Sequence, residues 1–174
     1  MAMLCFYYKM NIRIGHGIDI HQLKKNIPFI LGGIQIKSSI GIKGHSDGDV
    51  LLHALVDALL GSLSLGDIGT YFPSNSSKWK NCNSDIFLKE TIKKVHGLNY
   101  KIANVDITVL LQEPYIKPYI NQIKTNLSNL MQLNLEQISI KATTTDGLGF
   151  VGQKKGILST ASVLIYKDIN ESSH

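Results

Sequence analysis

With 174 residues, 44% of them hydrophobic and 18% charged, the chain has the composition of one soluble domain that buries its core without disulfides, not that of a disordered or membrane-spanning protein. Its formal charge of +5 comes from lysines set singly or in pairs (Lys24-Lys25, Lys93-Lys94, Lys154-Lys155), with no basic block interleaved with aromatics, which argues against a nucleic-acid surface. With one arginine, Arg13, anion recognition falls to lysines, backbone N–H groups, hydroxyls or metal; two distant cysteines, Cys5 and Cys82, suit a reducing, cytoplasmic compartment.

Residues 1–11 hold too brief an apolar run for a usual leader and read as an extension, with Met10 an alternative start. Residues 12–167 read as one catalytic domain and 168–174 as a polar tail with a frayed end. Over 12–21 the even positions Ile12, Ile14, Ile18 and Ile20 are apolar and the odd ones polar or Gly, the period of a half-buried strand; Asp19 and His21 then share one face. Residues 29–31 and 34–36 flank Gly32-Gly33 as a hairpin, and 46–62 form an apolar helix with Ser46-x-x-Asp49 as a capping-box-like start. A helix over 84–96 stops at Gly97, and a strand over 102–111 carries Ala103, Val105, Ile107, Val109 and Leu111 on one face. A third helix begins near Pro118, with Ile116, Ile120, Ile123, Leu127 and Leu130 at helical spacing, before strands at 138–142 and 157–166. This irregular alternation predicts an α+β domain in two layers, one mixed four-stranded sheet with the helices packed on one face.

Asp19-Ile20-His21 sets a carboxylate beside an imidazole, as two ligands of a tetrahedral ion require, although such a pair alone is more often a hydrogen-bonded couple. On the first helix Asp49, His53 and Asp57 form a polar stripe at i, i+4 and i+8 that is costly to bury unpaired. A core histidine satisfied by a neighbouring Asp explains it blandly; an ion shared with Asp19 and His21 explains more, with Asp57 orienting His53 from behind. Two imidazoles and one carboxylate favour zinc over magnesium. Ahead of the helix, Gly44-His45-Ser46-Asp47-Gly48-Asp49 offers N–H groups and a hydroxyl to a phosphate, unless Ser46 is merely the cap. Gly66-Asp67-Ile68-Gly69 and the Thr-rich segment ending in Thr145-Asp146-Gly147 are polar turns of the kind that bind ligands.

Taken together and in order, GHGIDIH, GHSDGDVLLHALVDALLG, GDIG, FP and KATTTDGLGF resemble the 2-C-methyl-D-erythritol 2,4-cyclodiphosphate synthases of the non-mevalonate isoprenoid pathway, over residues 11–167. The long SDGDVLLHALVDALLG block is that family's signature. The resemblance implies a cytoplasmic lyase, a homotrimer with its sheets toward the threefold axis and active sites between subunits. It implies attack of the 2-phosphate of a cytidine-diphosphate methylerythritol substrate on its own β-phosphorus, releasing CMP and a cyclic diphosphate. By matching position, Asp19, His21 and His53 bind zinc at the β-phosphate, His45 and Thr144 stabilise the transition state, and Ser46 accompanies His45. Asp67, Ile68 and Gly69 hold the methylerythritol part under a segment beginning at Phe72, while Leu111, Pro114, Ile116, Lys117, Ala142, Thr143 and Thr144 form the cytidine pocket. Asp146 holds magnesium, with manganese as an alternative, and Phe150 joins the substrate-contacting set. No nucleic-acid or membrane partner is expected.

The chain departs from the family pattern at Asp146, where Glu is usual, at Tyr115, where Lys is common, and at Ser74, usually Asp. Gln153 and Lys155 replace the Arg and Glu near the mouth of the trimer's central cavity, where isoprenoid diphosphates would bind. A zinc phosphohydrolase would use the same three ligands to activate water, and a metal-stapled scaffold would use them only for stability.

Overall fold

The structure, a computed structural model, describes residues 10–168; the expectations for Cys5 and for the frayed end over 170–174 lie outside the described residues. Chain order is β1 (Met10–Lys25), β2 (Phe29–Leu31), β3 (Ile34–Ile36), β4 (Ile40–Lys43), α1 (Val50–Ser62), α2 (Ile68–Tyr71), α3 (Asp85–Gly97), β5 (Lys101–Leu110), α4 (Ile120–Met131), β6 (Ile138–Thr143), α5 (Gly149–Gly152) and β7 (Gly156–Asp168). The main sheet has five strands in the order β4-β1-β7-β5-β6, mixed because β5 and β6 run parallel and the other pairs antiparallel; β2 and β3 form a separate hairpin.

The expected count of four strands is therefore corrected to five. The additional strand, β4, pairs Ile40 through Lys43 with Lys25 through Gln22 of β1. Four residues are too few to show a period, and a glycine sits among them. A side chain at Gly41 would stand 2.1 Å from the carbonyl oxygens of Ile27 and Pro28, so the glycine lets the preceding turn close over the strand.

The alternation along β1 is present, with its faces reversed from the usual hydrophobic-in arrangement. Ile12, Ile14, Ile18 and Ile20 are 50%, 74%, 53% and 53% exposed, while Gly15 and Gly17 face α1 and are buried. A Cβ on Gly15 would lie 1.8 Å from the Ala58 carbonyl oxygen, and one on Gly17 2.1 Å from that of Ala54. The helix backbone thus rests directly on the strand, and this brings His53 down to the level of Asp19 and His21. On the same face the buried Val105, Ile107 and Val109 of β5 stand in register with Val163, Ala161 and Ser159 of β7, and the apolar ones share one core with Leu51, Leu52, Leu55 and Leu59 of α1. In β5 a bulge between Ile102 and Asn104 shifts the pattern, so Ile102 and not Ala103 joins the core. On α4 the core residues are Ile123, Leu127 and Met131, with Leu130 only half-buried.

Helix α1 begins at Val50, later than expected, because Asp49 and not Ser46 is its cap: the Asp49 carboxylate accepts from Leu52 N at 3.1 Å. The same carboxylate accepts from Gly32 N at 2.9 Å and Gly33 N at 2.6 Å, tying the β2–β3 turn to the helix. Gly32 and Gly33 both have positive φ, which lets both N–H groups point at one acceptor. Burial pushes the Asp49 carboxyl up, to about 6, against the pull of these three N–H groups. Asp49→Ala would orphan three donors, at least two of them buried, and is expected to cost on the order of 3 kcal/mol, read as a lower urea midpoint at unchanged slope.

Candidate metal centre and nucleotide pocket

Asp19 and His21 leave the helix-facing side of β1, and His53 projects from α1 onto them. Asp19 Oδ2 lies 2.8 Å from His21 Nε2 and 2.9 Å from His53 Nδ1, and the two ring nitrogens are 3.2 Å apart. The outer nitrogen of each ring is engaged. His21 Nδ1–H donates to the Lys43 carbonyl oxygen at 2.7 Å, the last residue of β4, so the strand missed in the sequence also orients a histidine. His53 Nε2 lies 2.9 Å from Ser84 Oγ and 3.2 Å from Ser46 Oγ.

With a proton on His21 Nδ1, its Nε2 presents an electron pair to a carboxylate. Donation by His53 Nε2–H to the hydroxyls makes His53 Nδ1 do the same. Three electron-pair donors within 4.8 Å of one another repel unless positive charge sits among them. The titration behaviour follows the same demand. Burial works against the Asp19 charge, but hydrogen bonds and charge from His21 and His53 outweigh it and hold the carboxyl well below its usual range. Burial likewise opposes charge on His21, yet the Asp19 contact pushes the imidazole up. Two imidazole nitrogens and one carboxylate oxygen are a donor set that fits a tetrahedral divalent cation with one open position.

The residues around this centre divide into those that frame it and those that stand apart. Asp57, expected to orient His53, instead accepts from Ile68 N at 2.7 Å and so ties the 66–69 turn to α1. Asp67 caps α2, accepting from Thr70 N and Thr70 Oγ1 at 2.9 Å each, and it is exposed with Gly69 beside a half-buried Ile68. The segment after it is pinned by aromatics: Phe72 stacks on Phe87 at 4.5 Å, with Trp79 edge-on to both, and the Phe87 ring lies 6.1 Å from that of His53. His45 is exposed on the loop before α1, and its carbonyl accepts from Asn81 N at 3.0 Å. At the helix end expected to receive a phosphate the Asp49 side chain accepts from Leu52 N, and Ser46 Oγ is turned toward His53 Nε2.

A second cluster surrounds a cavity of about 730 Å³ at the ends of β5 and β6, lined by Leu111, Pro114, Ile116, Lys117, Ala142, Thr143 and Thr144. Gln112 and Tyr115, within the 111–117 segment assigned to that pocket, also line it, as do Ile120, Asn121 and Ile140, which went unread in the sequence as binding residues. Ile120 and Asn121 show only helical spacing there, whereas the buried, unpartnered Gln112 Oε1 is visible only in three dimensions. Thr144 Oγ1 donates to Asp146 Oδ1 at 3.3 Å, and Asp146 and Gly147 both take positive φ, turning the exposed carboxylate back toward the threonine. Phe150, 40% exposed, leans over Gly156, where a Cβ would meet its ring at 2.8 Å. Lys154 pairs with Glu113 at 2.7 Å, linking the α5 end to the loop over the cavity.

Sheet register places both clusters at one level, since Asp19 pairs with Ser159, Ser159 with Val109, and Val109 with Ala142. Three strand spacings separate the ends of that series, about 14 Å.

Comparison with known proteins gives a consistent result. The YgbB family model matches residues 12–166. The 2-C-methyl-D-erythritol 2,4-cyclodiphosphate synthase of Azobacteroides pseudotrichonymphae is 49% identical over 162 residues, 93% of this chain and 96% of that one. The enzyme of the same description from Natranaerobius thermophilus is 46% identical over 154 residues, 88% of this chain and 98% of that one. Among solved structures, the Plasmodium falciparum IspF in its CDP complex superposes with a TM-score of 0.80 at 38% identity, covering 91% of this chain and 97% of that one. The bifunctional IspDF of Campylobacter jejuni gives 0.88 at 40% identity, with 91% of this chain matching 43% of that one.

Proposed function

Since the chain belongs to the YgbB family, we infer that it is a 2-C-methyl-D-erythritol 2,4-cyclodiphosphate synthase, taking the cytidine-diphosphate methylerythritol 2-phosphate to the cyclic diphosphate and CMP. The observation that carries the chemistry is the convergence of Asp19, His21 and His53 with their outer nitrogens already engaged. In this reading these three hold zinc, and Asp146 holds magnesium in an oxygen-rich site. The bound ions supply positive charge against phosphate repulsion, worth about 4 kcal/mol per unit charge pair at ~4 Å and an effective dielectric near 20.

The remaining work is positioning by the chain itself. The 2-phosphate is already an oxyanion, so no base is required: one of its oxygens bonds to the β-phosphorus, and the bond from that phosphorus to the bridging oxygen breaks, leaving the oxygen on CMP. His45 and Ser46 border the reacting phosphates on one side and Thr144 on the other, where they donate hydrogen bonds to oxygens gaining charge. Asp67, Ile68 and Gly69, anchored through Asp57 to α1, hold the methylerythritol carbons, and the 111–117 and 142–144 segments, with Phe150 at the mouth, hold the cytidine. Holding the two phosphates in line contributes roughly 7–11 kcal/mol in such intramolecular reactions.

The reading extends to a homotrimer in which sheets face one another. Its support is the row of exposed isoleucines on β1 and the 14 Å separation of the two clusters, which suits a site assembled from one copy's metal centre and another's nucleotide pocket. No helix among the described residues is long and apolar enough to cross a membrane. In the same reading the enzyme is cytoplasmic and its reaction is that of a cyclising phosphorus–oxygen lyase.

Phosphorus NMR of the protein with substrate, zinc and magnesium is the test. CMP together with a cyclic diphosphate is the expected result; CMP together with an open bisphosphate would mean a phosphohydrolase.

A further inference from the structure

We propose that Ser84 and Asp47 are positioning residues that set which nitrogen of His53 carries the proton, and thereby keep Nδ1 available as a metal ligand. The proposal rests on the metal reading of the Asp19–His21–His53 cluster.

Ser84 stands immediately before α3, where a serine hydroxyl ordinarily accepts from the helix's own first-turn N–H groups. It makes no such bond. The hydroxyl, wholly buried, is instead turned out of its helix, with Oγ 2.9 Å from His53 Nε2 and in a short contact with Asp47 Oδ1. A carboxylate only accepts, so in that contact the Ser84 O–H donates to Asp47. Its remaining electron pairs can then only accept, and the group facing them, His53 Nε2, must be N–H. The neutral ring consequently has its free pair on Nδ1, the atom 2.9 Å from Asp19 Oδ2 and 3.2 Å from His21 Nε2. Polarity runs in one direction through Asp47, Ser84 and His53, as His21 receives its own from the Lys43 carbonyl.

Asp47 is itself fixed by the backbone. Its Oδ2 accepts from Ser84 N at 2.9 Å and its Oδ1 from Asp49 N at 3.2 Å, while Asp47 N donates to the Cys82 carbonyl at 3.1 Å. The carboxylate is therefore held where only an acceptor satisfies its neighbours. Ser46 Oγ, 3.2 Å from the same His53 nitrogen, is a longer second acceptor and has no carboxylate to fix its own direction.

Asp47→Asn is the sharpest variant. Its single oxygen is best spent on the immovable Ser84 N–H, which turns the amide NH₂ toward Ser84 Oγ. The Ser84 hydroxyl then rotates to donate to His53 Nε2, and the ring proton moves to Nδ1. Competition of the zinc-loaded protein against a chromogenic chelator is expected to give an affinity 10- to 100-fold weaker for Asp47→Asn and for Ser84→Ala than for wild type. Long-range ¹H–¹⁵N imidazole spectra are expected to show His53 protonated on Nε2 in wild type and altered in Asp47→Asn. Thermal melts of the metal-free proteins are expected to agree within a few degrees for Ser84→Ala, because its hydroxyl caps nothing. Wild-type zinc affinity in both variants with unchanged His53 spectra would overturn the proposal, as would a wild-type ring protonated on Nδ1. A wild type that binds no metal yet keeps His53 protonated on Nε2 would instead sink the functional reading and leave the polarity of the relay standing.

Discussion

His53→Ala is expected to lose zinc and to lower turnover by about a thousandfold or more, ~4 kcal/mol of transition-state stabilisation, while the protein stays folded. Alanine is the best helix former, and the residues around position 53 on α1 are buried by their own apolar contacts, so the helix does not depend on the ring. What the substitution removes is one of three converging donors and the Nδ1 electron pair facing Asp19. Zinc content by mass spectrometry, turnover and circular dichroism form one test. Full zinc occupancy in the variant would take His53 out of the centre. Cytidine nucleotide binding is expected to survive, because the pocket at the β5 and β6 ends is about 14 Å away along the sheet. Retained nucleotide binding also separates an enzyme from a metal-stapled scaffold, which has no reason to bind a nucleotide at all.

Ile14→Asp, preferably combined with Ile18→Asp, is expected to turn a three-chain particle into single chains of 19.2 kDa and to abolish activity. In one chain these side chains are 74% and 53% exposed, so the carboxylates meet water and the monomer's core is untouched. In an assembly with facing sheets the same positions would bury like charges against one another, at a cost of several kcal/mol for each unpaired carboxylate. Light scattering coupled to size exclusion gives the particle mass. A variant that remains a trimer with full turnover would place the interface elsewhere, and a wild type that runs as a monomer would dispose of the trimer directly.

Much of the fold was legible because its signals are local. The Gly32-Gly33 hairpin, the buried α1 and the strands at β5, β6 and β7 all follow from period and turn chemistry. The orientation of β1 was not: the same alternation serves either face, and only the fit of Gly15 and Gly17 under α1 decides that the isoleucines point away. β4 escaped because four residues carry no period, and the start of α1 was misplaced because Asp49 competes with Ser46 as cap and wins through the hairpin glycines 17 and 16 positions before it, a contact that helical or strand spacing does not reveal. At the site, Asp19, His21 and His53 could be nominated from residue type and spacing. Ser84 could not, since 31 residues separate it from His53 and 37 from Asp47, and its sequence context reads only as a helix start.

The long pairing of β1 with β7, thirteen residues from Met10 opposite Asp168 to Gln22 opposite Gly156, has a further implication for how tolerant this strand is of error. Odd-numbered residues of β1 carry the reactive donors and even-numbered ones the outward isoleucines. A slip of one position would drive Ile18 and Ile20 into the backbone of α1 and turn Asp19 and His21 outward in a single step. No misthreaded intermediate could therefore be half-functional: a chain mispaired by one rung loses its chemistry and its outward apolar surface together, and refolding yields measured by zinc uptake and by particle mass should rise in parallel.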